Sequence, residues 1–117
     1  MIQRDDDWDY AAERAQASPL TRATILDTAK GYVTKDRAAD HGDMENNFGA
    51  IAAFWSTYLS AAHGTNLQVR GHDVAAMMQL LKIARSAQTP AHLDHWIDGA
   101  GYAACGGELA AKLKKGG

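Results

Sequence analysis

Apolar residues recur at steps of three, four and seven through most of this 117-residue chain, and almost nowhere at steps of two. That period puts side chains on one face of an α-helix, whereas a half-buried strand needs strict alternation. Leu20, Ala23, Leu26 and Ala29 mark a first helix over 19–35. Ser18 and Pro19 open it with a capping hydroxyl and a proline at the first helical position. Phe48, Ile51, Ala52, Trp55, Tyr58, Leu59 and Ala62 mark a second helix over 43–62, with Asp43 as N-cap and His63, Gly64 and Thr65 as its end. Val74, Met77, Met78, Leu81 and Ala84 mark a third over 72–86. Thr89 and Pro90 start a fourth that runs to about 115. Short connections between these segments predict an all-α, four-helix bundle-like domain over 19–117. Residues 1–18, with Asp5, Asp6, Asp7, Trp8 and Tyr10, read as an N-terminal arm.

Charge and composition exclude several functions. A hydrophobic fraction of 46% is that of a globular chain, not a disordered one. A net charge of −2 without a basic stripe argues against nucleic-acid binding driven by charge. Cys105 is the single cysteine, so neither a disulfide framework nor a cysteine zinc site forms within one chain. The opening MIQRDDDWDY lacks the apolar core of a secretory signal, and no apolar run approaches the ~20 residues of a membrane span. The expectation is a soluble cytoplasmic protein without membrane or direct DNA contact.

Functional interest concentrates in HLDHWIDGAGYAACGG, residues 92–107. As a helix this segment is apolar almost all round, which predicts a central position. Asp94 and Asp98 lie one turn apart on the same face. Burying such a pair costs several kcal/mol unless each acid is paired, hydrogen-bonded or bound to a cation. Mg²⁺ and Mn²⁺ favour carboxylate oxygens and would relieve both burial and mutual repulsion. The plainer alternative has Asp94 complementing the helix start and Asp98 paired with Lys82 or Arg85. Glycines at 99, 101, 106 and 107 weaken the helix and point to close helix approach or room for a ligand.

Other charged residues extend the pattern. Glu45 and Asp73 fall in the first turns of the second and third helices, where an acid complements the helix dipole in any case. Lys82 interrupts the apolar run MMQLLKIAR, with Arg85 three residues on. Such cations often complement a helix C-terminus, but beside a carboxylate-bound metal they would suit phosphate oxygens.

DHGDMENNFGAIAAFWSTYL, then DVAAMMQLLKIAR, then DHWIDGAGYA resemble, in order and combination, short phage-encoded proteins similar to the all-α nucleoside triphosphate pyrophosphohydrolases, the MazG-like group, and in particular its MazZ type. The resemblance covers about residues 20–110. It implies a four-helix core, a Mg²⁺ or Mn²⁺ requirement, and hydrolysis of an NTP or dNTP to the monophosphate and pyrophosphate. A purine dNTP, dGTP or dATP, is the implied substrate, in phage nucleotide metabolism linked to DNA containing 2-aminoadenine. Asp94 and Asp98 stand for the group's second acidic pair, and Glu45 and Asp73 are taken for the first, which has no direct copy here. The implied roles follow: Glu45, Asp73, Asp94 and Asp98 as metal ligands, Glu45 also orienting water, Lys82 and Arg85 stabilising phosphate charge, and Asn46, Asn47, Trp55 and Tyr102 holding base or sugar. Trp55 and Tyr102 also have an ordinary reading as core aromatics.

Two other functions compete. A helical module could bind nucleotide or a partner without turnover. An HD-type phosphohydrolase would use His72 and Asp73 with His41, His63, His92 and His95; ordinary surface histidines are the simpler account, with His92 at the exposed start of its helix. Cys105 reads as a small buried residue without an activating partner. Trp55, Tyr58, Met77, Met78 and Trp96 carry more apolar surface than one small bundle hides, which predicts a homodimer or homotetramer with the site near a subunit interface.

Overall fold

A computed structural model describes residues 20–36 and 43–116, with side chains over 20–34 and 43–113. The N-terminal arm, Ser18, Pro19 and His41 lie outside the described residues. Helix α1 spans Arg22–Gly31 and runs into a π-helical turn, Tyr32–Asp36. Helix α2 spans Met44–His63, α3 Gly71–Gln88 and α4 Leu93–Gly116. The described residues contain no strand, so the all-α expectation holds.

Local chemistry sets most helix ends. Helix α1 starts later than the apolar period predicted, because Thr21 and Thr24 form a reciprocal capping box. The Thr24 N–H donates to Thr21 Oγ1 at 3.3 Å, and the Thr21 N–H to Thr24 Oγ1 at 2.8 Å. Asp43 caps α2 as expected, its Oδ2 accepting the Asn46 N–H at 3.1 Å. Gly64 ends α2 at φ 66°, a left-handed conformation that glycine adopts without strain. Asp73 reaches back to accept the Arg70 N–H at 2.9 Å and secures the start of α3. Thr89 closes α3 by donating its N–H to Arg85, and α4 begins only at Leu93, three residues beyond Pro90.

Helices α3 and α4 form an antiparallel hairpin, the most extensive contact in the fold. Glycines let them approach. A Cβ on Gly106 would lie 3.0 Å from Ala75 Cβ, and one on Gly71 3.3 Å from Leu109 Cδ1. On another side of α4, a Cβ on Gly101 would meet Val33 Cγ1 at 3.1 Å, where the π-helical turn packs. Close approach therefore accounts for Gly101 and Gly106, whereas Gly107 faces open space. Helix α1 lies against α4, and α2 against α3. Phe48 of α2 also meets Tyr102 of α4, ring centroids 6.3 Å apart. The connection between α2 and α3 runs back along α2. There Ser56 bonds the Val69 N–H and C=O, and Ser60 those of Leu67.

The rotation of α3 differs from the predicted stripe. Its buried residues are Val74, Ala75 and Lys82, while Met77 and Leu81 are exposed. Helix α2 likewise buries Ala52 but exposes Ile51, Phe54 and Tyr58. Both helices are apolar on more than one side, so the 3.6-residue period alone does not say which side meets the rest of the chain.

Candidate functional site

Near the turn of the α3–α4 hairpin, charged side chains are buried together. Lys82 arrives on the face of α3 that packs on α4, and its Nζ lies 3.0 Å from Asp98 Oδ2. Both side chains are largely buried. One turn earlier on α4, Asp94 is only 7% exposed, and its carboxylate makes no hydrogen bond or ion pair with a described residue. Asp98 thus has the lysine partner that the plainer reading offered it, whereas Asp94 stands in the first turn of α4 without a capping bond.

His95 belongs to the same cluster, which corrects its reading as a surface residue. It is 7% exposed. Its Nε2 lies 3.2 Å from Thr89 Oγ1, and its Nδ1 is buried without a hydrogen-bond partner among the described residues. Burial holds the imidazole below its usual pKa; the charges of His92, Lys82 and Arg85 add to that, and Asp94 opposes it. The His92 ring lies beside it, centroids 4.5 Å apart, and His92 is half-buried rather than at an exposed start. The hint available in the sequence was position: His95 follows Asp94 directly and lies six residues after Thr89, across the tight turn.

The other two predicted carboxylates are elsewhere. Glu45 accepts from Lys112 Nζ at 2.6 Å, both side chains about half exposed. Lys112 is fourteen residues beyond Asp98 on α4, ~21 Å at 1.5 Å per residue. Asp73 is spent on the start of α3 and lies 3.4 Å from His72 Nε2. It precedes Lys82 by nine residues, ~13 Å along the helix. Glu45, Asp73, Asp94 and Asp98 therefore do not form one site within the chain. Among the described residues no three His, Cys, Asp or Glu side chains gather as a metal centre. Of the histidines of the HD-type reading, His92 and His95 lie side by side and His72 lies beside Asp73, but among the described residues these do not join into a group of three or more.

The remaining predicted residues are scattered. Arg85 is exposed on α3, close enough to act electrostatically on His95. Asn46 is exposed and Asn47 half-buried in the first turn of α2. Trp55 is half-buried on α2, and Tyr102 packs against Phe48, so both carry the ordinary role of packed aromatics. Cys105 is buried as expected, its thiol pushed up by burial and by Glu108. An open groove of about 780 Å³ lies along α2 beneath residues 66–71; its serines are already bonded to the backbone. None of the described helices is long and apolar enough to cross a membrane.

Comparison with known proteins adds a family and relatives. The Gene 55 protein of Mycobacterium phage L5 is 41% identical over 80 residues, which cover 68% of this chain and 48% of that protein. The Gene 55 protein of Mycobacterium phage D29 is 37% identical over 82 residues, 70% of this chain and 50% of that protein. The chain spans about half the length of these curated relatives. No solved structure matches it. A family described as a domain of unknown function, DUF6378, matches residues 24–110, a stretch that holds the whole charged cluster and all four helices except the ends of α1 and α4. The chain belongs to the DUF6378 family.

Proposed function

We propose that this chain is a metal-dependent nucleotide pyrophosphohydrolase whose site is the cluster at the α3–α4 turn. The observation that carries the reading is Asp94, a largely buried residue whose carboxylate makes no hydrogen bond or ion pair among the described residues. Withdrawing such a group from water without a protein partner is unfavourable, so a cation there has a clear energetic role. Mg²⁺ is commonly held by one or two carboxylates together with substrate phosphates, and Asp94 with Asp98 fits that donor set. The ion, when bound, would supply charge neutralisation at the phosphates and a more acidic water.

The chain's own residues do the rest. Asp94 and Asp98, one turn apart on α4, would hold the cation. Lys82 is already oriented by Asp98, and its remaining N–H groups serve phosphate oxygens. Arg85, exposed one turn further along α3, takes the outer phosphates by a forked contact. Water attacks the α-phosphorus, the α–β anhydride bond breaks, pyrophosphate leaves with its new negative charge facing Lys82 and Arg85, and the proton of the attacking water passes to solvent. Glu45 is too distant to orient that water within its own chain. The resemblance of the three motifs to MazG-like proteins supports the reaction class and a purine dNTP, dGTP or dATP, as substrate. It supports in the same way a role in phage nucleotide metabolism linked to 2-aminoadenine DNA, and the phage relatives agree with that setting.

Product analysis tests the reading. The protein is incubated with each common NTP and dNTP and Mg²⁺ or Mn²⁺, and the products are separated by ion exchange. Monophosphate plus pyrophosphate is the expected outcome, lost in Asp98→Asn with the helical circular dichroism retained. Nucleoside plus triphosphate would support the HD-type reaction instead. A second reading, a nucleotide-binding module without turnover, is favoured by one observation: Lys82 already neutralises one of the two carboxylates. Metal- and nucleotide-dependent stabilisation without any product would decide for it.

A further inference from the structure

The segment that joins α2 to α3 is held by two serine hydroxyls that take the place of a neighbouring strand. Ser60 Oγ accepts the Leu67 N–H at 2.9 Å and donates to the Leu67 C=O at 3.0 Å. One helical turn earlier, Ser56 Oγ accepts the Val69 N–H at 2.8 Å and lies 3.2 Å from the Val69 C=O. The match is metric. Residues four apart on a helix are ~6 Å apart along its axis, and residues two apart on an extended chain are ~6.6 Å apart. Two hydroxyls of α2 therefore engage every second residue of the segment, which reaches Arg70 in an extended conformation, φ −113° and ψ 171°. In an extended chain the N–H and C=O of one residue face the same way, and those of the next residue face the opposite way. With Leu67 and Val69 turned toward α2, Asn66 and Gln68 present theirs to the outside. Both residues are exposed, and neither makes a hydrogen bond among the described residues.

We infer that this outer edge binds an extended peptide of a partner protein by strand addition, and that the peptide alternates apolar and acidic residues. The inference rests on the hydrogen bonds of the connection and is independent of the proposed chemistry. The open edge of an extended segment is a template for another chain. The serines have already fixed the segment, so binding does not bear the cost of ordering it. The side chains say what the partner carries. Alternation puts Leu67 and Val69 on one flank, and Asn66, Gln68 and Arg70 on the other. An incoming strand sets its own side chains against the same two flanks, each opposite its counterpart. Apolar residues suit Leu67, 38% exposed, and the half-buried Val69. The other flank ends in the Arg70 guanidinium, which is exposed and makes no ion pair among the described residues. An acid on the peptide complements it. Beside the segment, the open groove of about 780 Å³ has the small residues Gly49, Ala52 and Ala53 on its α2 wall, which leaves room for side chains of the incoming strand.

The probe is the heptapeptide Val-Glu-Val-Glu-Val-Glu-Val, blocked at both ends, titrated into the full ¹⁵N-labelled chain. Its strict alternation lets glutamate face Arg70 in more than one register. The amide protons of Asn66 and Gln68 should move downfield along one saturable curve, and those of Leu67 and Val69, already bonded to serine, should move less. Gln68→Pro removes an N–H that has no bond within the described residues, and should weaken binding about tenfold, as loss of a hydrogen bond does. Arg70→Ala should weaken it about two- to fivefold, the effect of an exposed charge pair. Methylating the glutamate nitrogens of the peptide removes the donors that face Gln68 and should abolish binding, whereas methylating the valine nitrogens should retain it. Should Gln68→Pro lose its helical circular dichroism, the two methylated peptides decide on the wild type. Binding that survives Gln68→Pro or glutamate methylation overturns the strand addition, as does the absence of any shift at Asn66 and Gln68 up to millimolar peptide. Equal binding of the peptide with lysine in place of glutamate overturns the acidic partner. Amides of Asn66 and Gln68 already protected from hydrogen exchange without peptide would give the edge to another part of this chain or to a second copy, and overturn the proposal too.

Discussion

Helix α4 takes part in two lysine–carboxylate pairs, one near each of its ends. At its start Asp98 meets Lys82 at 3.0 Å inside the hairpin; near its end Lys112 meets Glu45 at 2.6 Å in solvent. The shorter pair is the weaker contributor. In water the attraction is screened and two long side chains lose freedom, so exposed pairs add little. In the interior both ions have given up hydration, so removing either one strands the other. Burial, more than distance, separates an ion pair that the fold depends on from one it tolerates. The same contrast separates the carboxylates taken together in the sequence: Asp94 is buried and the Asp98 side chain largely so, while Glu45 and Asp73 reach water.

The contrast can be broken from its strong side first. Asp98→Ala leaves the Lys82 ammonium buried and should cost about 3–5 kcal/mol in urea denaturation. Lys82→Met with Asp98→Leu removes both charges at similar volume and should recover most of that loss. The double variant remains inactive if the proposed site is right. A double variant as unstable as Asp98→Ala would show that the pair's role is not electrostatic.

Between the two ends, glycines set the helix separation. Gly106→Ala adds a methyl 3.0 Å from Ala75 Cβ, and the crowding of about 1–3 kcal/mol should exceed the gain in helix propensity of about 1 kcal/mol. Gly107→Ala meets nothing within 4 Å and should stabilise by up to about 1 kcal/mol. Thermal midpoints moving in opposite directions for these neighbours would confirm that the close approach is real.

A smaller effect distinguishes the buried end by pH. The pKa of His95 is lowered in the folded state, chiefly by burial, so the unfolded chain takes up its proton first as pH falls. Stability from this group is complete above the unfolded value of about 6.5 and declines as pH drops from there toward the lowered folded value. Chemical denaturation across that window should show the slope in the wild type and a reduced slope in His95→Gln. The smallest effect is expected at the exposed end. Lys112→Ala should leave the urea midpoint within experimental error, and any residual change should vanish in high salt.

How much of this was legible follows from locality. The helices were readable because their signals lie within a few residues. Asp43 caps its own helix, Gly64 ends it by its own backbone freedom, and apolar period marks the rest. The errors at helix starts were also local. Thr21 and Thr24 compete with Ser18 and Pro19 for the same role, and the sequence alone does not rank them. The Lys82–Asp98 pairing was legible as one of two options for Asp98, because few cations lie in the apolar run of α3. The separation of Glu45 from Asp94 was not, since it depends on α3 and α4 running antiparallel with Lys112 at the far end. Nor was the burial of His95, which follows from the tight turn that folds α4 back under Thr89.

The sequence by itself determined that the chain is helical, where its helices lie, and that acids and cations stand in apolar surroundings. These follow from backbone hydrogen bonding and side-chain period, which act over a turn or two. Only the tertiary structure decided which face of α2 and α3 turns inward, which carboxylates share a site, and which large side chains remain outside. Helices that are apolar on several sides offer more than one way to pack, and the choice is made by contacts between residues far apart in the chain. Gly106 against Ala75 and Lys82 against Asp98 are such contacts, each fixing the rotation and height of α3 on α4.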